Sequence, residues 1–131
     1  MLEPGLKGSA EMTVAVGNTA KEVGSGSVAV FATPMLVAIL ENAAINALEG
    51  KLPAGSTTVG MEIAIKHLAA TPVGMVVKAE AFLEEVEGRR LTFRVEAHDQ
   101  VEKVGEGRHV RFIVNAEKFM AKASQKTENG S

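Results

Sequence analysis

Thr33-Pro34-Met35-Leu36-Val37-Ala38-Ile39-Leu40-Glu41-Asn42-Ala43-Ala44-Ile45-Asn46-Ala47-Leu48-Glu49-Gly50 is the stretch that decides the fold. Thr33 has the side chain of an N-cap, and Pro34 suits the first helical position, where a missing N–H costs nothing. The spacing predicts a helix from Pro34 to Leu48 or Glu49, with Gly50 as a left-handed stop. Asn42, Asn46 and Glu49 form its single polar stripe, and the rest of its circumference is apolar. A helix of that kind is expected to be buried on most sides.

Outward from the helix, the chain reads as strands. Ser9–Val16 alternates, with Ala10, Met12, Val14 and Val16 on one side, the period of a strand with one buried face. Residues 1–8 read as a turn-rich lead-in, and Gly17–Ser27 as a surface loop. After a turn at Leu52-Pro53-Ala54-Gly55 come Thr57–His67, Gly74–Glu85, Leu91–Lys103 and Arg108–Phe119. In Thr57–His67 the odd positions Val59, Met61, Ile63, Ile65 and His67 share a face, with Glu62 and Lys66 opposite. In Leu91–Lys103, Leu91, Phe93, Val95 and Ala97 face in, while Arg94, Glu96 and His98 face out. Gly24–Gly26 and Gly105–Gly107 are read as turns, since neither matches a dinucleotide fingerprint or a phosphate loop. Residues 121–131 are expected to be a loose polar tail. One helix among hairpin-linked strands means a single α+β domain with an antiparallel sheet of about five strands around a central helix. Such a sheet has edges and a face that need cover, and a second copy of the chain would supply it.

Composition narrows the function classes. With 131 residues the chain has room for one domain and one core. Its net charge of -2, five Phe and lack of Tyr and Trp argue against a nucleic-acid surface. The absence of cysteine removes thiol nucleophiles and zinc-thiolate sites and fits a reducing compartment. No apolar run reaches the roughly 20 residues needed to span a bilayer. The N-terminus lacks the pattern of a signal peptide, so a cytoplasmic protein is expected.

Three residues stand out chemically. Glu41 has only apolar neighbours on the helix surface (Pro34, Val37, Ala38, Ala44, Ile45, Leu48), where a carboxylate is costly without a partner. It is either a structural carboxylate bonded to a neighbouring strand or subunit, or one held for catalysis. His67 ends the odd-numbered series facing the helix, as a core histidine or a functional one. Thr33 has a full structural explanation as a cap, yet it sits where a helix dipole and free N–H groups could stabilise an oxyanion. A hydroxyl, a carboxylate and an imidazole are the parts of an acyl-transfer site. One histidine and one carboxylate do not make a metal site, and none is expected. His98 reads as solvated, and strand alternation gives His109, beside Arg111, no function.

Several motifs together resemble a known family. They are Phe31-Ala32-Thr33-Pro34, Glu41 eight positions after Thr33, Val59-Gly60-Met61-Glu62-Ile63, Lys66-His67-Leu68-Ala69-Ala70-Thr71-Pro72-Val73-Gly74, and Gly105-Glu106-Gly107-Arg108-His109-Val110-Arg111. Over about residues 8–119 the chain is similar to the fluoroacetyl-CoA thioesterase-like group of hotdog proteins. The resemblance implies a hotdog homodimer with its active sites at the dimer interface; the sequence does not distinguish that dimer from a tetramer of two dimers. It puts the family's catalytic threonine, glutamate and histidine at Thr33, Glu41 and His67. A glycine and an arginine near the substrate fall at Gly60 and Arg111. The fluoroacetyl-specific member carries aromatic residues that gate its pocket ahead of the threonine, whereas Gly17–Ala29 here contains none.

The expected activity is hydrolysis of a short or medium acyl-CoA, with coenzyme A as part of the substrate and no separate cofactor. His67 is the expected general base. Glu41 would orient it, activate water or attack directly, and a covalent acyl-Thr33 path and direct water attack both remain open. The rival readings are a non-catalytic acyl-CoA or acyl-carrier binding module, a hydroxyacyl-thioester dehydratase, and a purely structural role.

Overall fold

A computed structural model describes residues 2–129; Gly130 and Ser131, the end of the expected tail, lie outside the described residues. The strands are β1 (Lys7–Thr13), β2 (Ser56–His67), β3 (Val76–Glu87), β4 (Arg90–His98) and β5 (Lys103–Asn115). The helices are α1 (Ala20–Val23), α2 (Thr33–Ala47) and α3 (Ala116–Asn129). All strand pairs are antiparallel, in the order β1-β3-β4-β5-β2. The α+β architecture with one long helix on a five-stranded sheet is the one the sequence implies.

Helix α2 lies across the inner face of the sheet. Leu36, Ile39, Leu40, Ala43, Ala44 and Ala47 form its buried side. Opposite them are Ala79, Ala81 and Leu83 of β3 and Leu91, Phe93, Val95 and Ala97 of β4; all are buried, those of β4 as the alternation predicts. Burying each of the larger side chains contributes about 1.5–3 kcal/mol. The helix packs mainly over β1 and β3. Gly8 makes this approach possible, because a Cβ there would strike the backbone of Ala43 and Ala47. The side of α2 toward β2 stays open within one chain, with Ala38 and Ile45 exposed and Glu41 half-buried. The helix is therefore less enclosed than its composition suggests.

Two departures from the expected pattern shape the site. The first is a bulge in β2: Gly60 pairs with Arg111 and Glu62 with Val110, leaving Met61 as the extra residue. The bulge reverses the phase of the strand. Ile63, Ile65 and His67 face in as predicted, but before the bulge the inner face passes to Thr58 and Gly60, and Met61 is exposed. The second concerns Gly105 and Gly107, which lie inside β5 and not in a turn. The β4–β5 turn is formed instead by Asp99, whose Oδ1 accepts from the N–H groups of Val101 and Glu102 at 2.8 and 2.9 Å. Gly105 provides space: a Cβ there would lie 2.9 Å from Leu36 Cδ2, so the start of α2 settles against β5.

The chain after β5 also differs from expectation. Residues 116–129 form α3, where a strand through Phe119 and a loose tail were predicted. Asn115 Oδ1 accepts from the Lys118 N–H at 2.9 Å and caps the new helix. The outer face of the sheet is charged. Lys7–Glu80, Arg94–Glu96 and Lys103–Glu106 are ion pairs, and Lys7 and Arg94 cover the Phe82 ring. Among the described residues no helix is long and apolar enough to cross a membrane.

Candidate active site

Thr33 and His67 meet at the start of α2. Ala32 is the N-cap, and its carbonyl accepts from the N–H groups of Met35 and Leu36. Thr33 is therefore the first helical residue rather than the cap, and its hydroxyl does not bond the helix. It points to His67 instead, with Oγ1 2.7 Å from Nδ1. The local backbone is fixed from several sides. The Ala32 N–H donates to Asn18 O, the Phe31 N–H to Thr71 O, and the Leu68 N–H to Val104 O. Pro34 lacks an N–H and the next two amides are bonded, which leaves the Thr33 amide without an intrahelical partner. The helix start thus offers one donor next to one hydroxyl.

The imidazole of His67 is partly buried, and this desolvation holds its pKa below the usual histidine value. At neutral pH it is an unprotonated base. Its Nδ1 can accept the Thr33 proton, while Nε2 is buried without a hydrogen-bond partner among the described residues. The pair opens onto a cleft of about 430 Å³ lined by Ala20, Ser25, Val28, Val30, Phe31 and Leu68. Its walls are small or aliphatic apart from Phe31, which is buried.

Glu41 lies elsewhere on the inner face. Eight residues of helix separate it from Thr33, about 12 Å along the axis. Its Oε2 is 3.7 Å from Arg111 Nη1. Gly60 stands beside both, since a Cβ there would lie 2.8 Å from Glu41 Oε2 and 3.4 Å from Arg111 Nη1. Within one chain the five residues singled out in the sequence thus fall into two groups, Thr33 with His67 and Glu41 with Gly60 and Arg111.

The second group has a member that strand alternation left without a role. His109 is buried against Phe93, with its Nδ1 2.8 Å from Glu62 O and its Nε2 3.1 Å from Arg111 Nη1. Arg111 Nε donates to Thr58 Oγ1 at 2.8 Å and Nη2 to Thr58 O at 3.0 Å. Burial lowers the pKa of Arg111, and Glu41 opposes that shift. One sign was available in the sequence: His109 and Arg111 are two residues apart on a strand, hence on the same face.

A curled antiparallel sheet over one long helix, with reactive groups at the helix start and along the open edge, defines a hotdog-fold protein. The chain belongs to the fluoroacetyl-CoA-specific thioesterase family, which it matches over residues 14–117. It is 46% identical over 101 residues to the fluoroacetyl-CoA thioesterase of Streptantibioticus cattleyicolor, covering 77% of this chain and 73% of that protein. A solved fluoroacetyl-CoA thioesterase structure superposes with a TM-score of 0.89 at 36% identity, covering 96% of this chain and 98% of the other. A Thermus thermophilus hypothetical protein, a thioesterase superfamily member, gives a TM-score of 0.89 at 29% identity, covering 97% and 94%.

Proposed function

We propose that this protein is an acyl-CoA thioesterase that hydrolyses a short or medium acyl-CoA to the free acid and coenzyme A. The single observation that carries the mechanism is the 2.7 Å contact between Thr33 Oγ1 and His67 Nδ1. His67 takes the Thr33 proton as Oγ1 attacks the thioester carbonyl carbon. The Thr33 amide and the positive end of α2 face the developing oxyanion. The carbon–sulfur bond breaks, and the coenzyme A sulfur leaves with the proton from His67. Water then attacks the carbonyl carbon of the acyl-Thr33 ester as His67 accepts its proton; the carbon–Oγ1 bond breaks, His67 returns the proton to Thr33 Oγ1, and the acid departs. The reaction needs no cofactor, since coenzyme A belongs to the substrate.

The separation of Glu41 from this pair supports a homodimer with shared sites. The open face of α2 exposes Ala38 and Ile45, and the edge strand β2 exposes Met61. A second copy docked there would cover these residues and bring its own Glu41 toward His67 Nε2, completing a hydroxyl–imidazole–carboxylate series. Absence of cysteine suits the reducing cytoplasm as the compartment.

Two tests apply. Thiol release from acyl-CoAs of increasing chain length should show turnover that falls by about 10²–10⁴-fold in Thr33→Ala and His67→Ala. A folded wild type that binds acyl-CoA without turnover would establish the binding-module reading instead. Mixed Thr33→Ala and Glu41→Ala proteins, each with only residual activity alone, should regain roughly a quarter of wild-type activity through mixed dimers with one intact site. No recovery despite subunit exchange would place each site within one chain.

A further inference from the structure

We propose that His109 is a positioning residue for Arg111, acting as a neutral imidazole that accepts from the guanidinium and fixes its direction toward Glu41. The inference rests on the thioesterase reading for its kinetic consequence, but not for its structural content.

The hydrogen-bond inventory determines the tautomer. A guanidinium has only donors, and in a protein it remains protonated. His109 Nε2, 3.1 Å from Arg111 Nη1, must therefore present a lone pair. Nδ1 then carries the proton and donates to the Glu62 carbonyl at 2.8 Å, next to the bulge at Met61. Both ring nitrogens are used, in one orientation and one tautomer.

This arrangement completes a clamp on Arg111. Thr58 holds Nε and Nη2 from β2, and His109 holds Nη1 from β5. With those bonds made, the guanidinium plane is fixed and Nη1 is also presented to Glu41 Oε2 at 3.7 Å, over Gly60. Thr58 alone leaves Nη1 without a protein acceptor on the β5 side. Arg111 is buried, so losing that acceptor would be costly.

The charged groups facing His109 are Arg111 on its own strand and Glu41 from α2; Phe93 of β4 and Ile63 of β2 add only apolar surface. Burial, with Arg111 adding to it, holds the imidazole below its ordinary pKa, against the bond to Glu62 and the charge of Glu41. Protonation would turn Nε2 from an acceptor into a donor facing a cation. Neutrality of His109 is thus a condition for the clamp.

Nitrogen-15 NMR of the histidine rings in the intact protein tests the structural statement. At neutral pH His109 should show a protonated Nδ1 and a lone-pair Nε2. The opposite tautomer, or a charged ring, would overturn the proposal. For the kinetic consequence, His109→Gln, which keeps an acceptor near Nε2, should retain most of kcat/KM. His109→Leu should lose about tenfold or more, as for a hydrogen bond to a charged group. In the Arg111→Gln background the His109→Leu change should cost little more, because it acts through Arg111. Equal losses in both backgrounds, or failure of Gln to outperform Leu, would reduce His109 to a core residue. If His109→Leu does not fold, the tautomer and the Gln variant still decide. A wild type without turnover would sink the thioesterase reading and leave the tautomer test standing.

Discussion

Gly60→Ala should separate the geometry of the site from the stability of the fold. Gly60 does not have a positive φ, so alanine meets no backbone strain. The added Cβ would sit 2.8 Å from Glu41 Oε2, about 0.6 Å inside ordinary contact. Its other neighbours, Arg111 Nη1 and His109 Cε1, are at 3.4 Å and are both held by hydrogen bonds. Glu41 is the end of a flexible, half-exposed side chain, so it is the group that moves. Displacing a catalytic group by a fraction of an ångström to 1 Å costs about tenfold to a hundredfold in rate. Stability should change by no more than about 1 kcal/mol. The assay is thiol release beside thermal unfolding, repeated in the Glu41→Ala background, where the alanine should cost nothing further. Full activity in Gly60→Ala, or an equal loss when Glu41 is already absent, would show that the added methyl does not act through Glu41.

Gly8→Ala is the converse case. Its Cβ would meet the rigid backbone of α2 at Ala43 and Ala47, so it should destabilise by about 1–3 kcal/mol or more, read as a fall in denaturant midpoint. Acid should weaken both activity and stability. The folded pKa values of His67 and His109 lie below the unfolded value of about 6.5, so below that pH the unfolded chain binds more protons. Stability from these groups is complete above that value and is lost as pH falls toward the folded pKa values. The base form of His67, and with it kcat/KM, should persist below pH 6.5 and be lost on further acidification; a rate that rises on acidification would contradict the base role. Met61→Arg, a charge on the exposed edge beside the bulge, should convert the proposed dimer to monomer in sedimentation analysis and abolish turnover together with dimerisation. An active monomer would refute the shared site.

Much of this was legible because it depended on local pattern. Helix α2 follows from Thr33-Pro34 at its start and Gly50, with φ of 74°, just beyond its end. The inner faces of β4 and the second half of β2 follow from period-2 alternation. What was not legible depended on a partner distant in sequence. The bulge at Met61 changes the phase of β2 by one residue, and only the register against β5 reveals it. Gly105 and Gly107 have the look of a turn, but Gly105 admits Leu36 and Gly107 lies tight against the backbone of Ala64 and Ile65. Thr33 reads as a cap until the position of His67 shows where its hydroxyl bonds. α3 carries local signals of its own: Asn115 as a cap, Glu117 in the first turn and Lys126 in the last.

In the proposed mechanism Thr33 and His67 act as one unit on a thioester. The most direct test is the rate of thiol release by wild type, Thr33→Ala, His67→Ala and the double variant, all on the best acyl-CoA substrate. If the hydroxyl is activated through the imidazole, the double variant will be about as slow as the slower single one, because the second loss removes nothing already working. Losses that multiply, or a single variant that keeps wild-type rate, would contradict it.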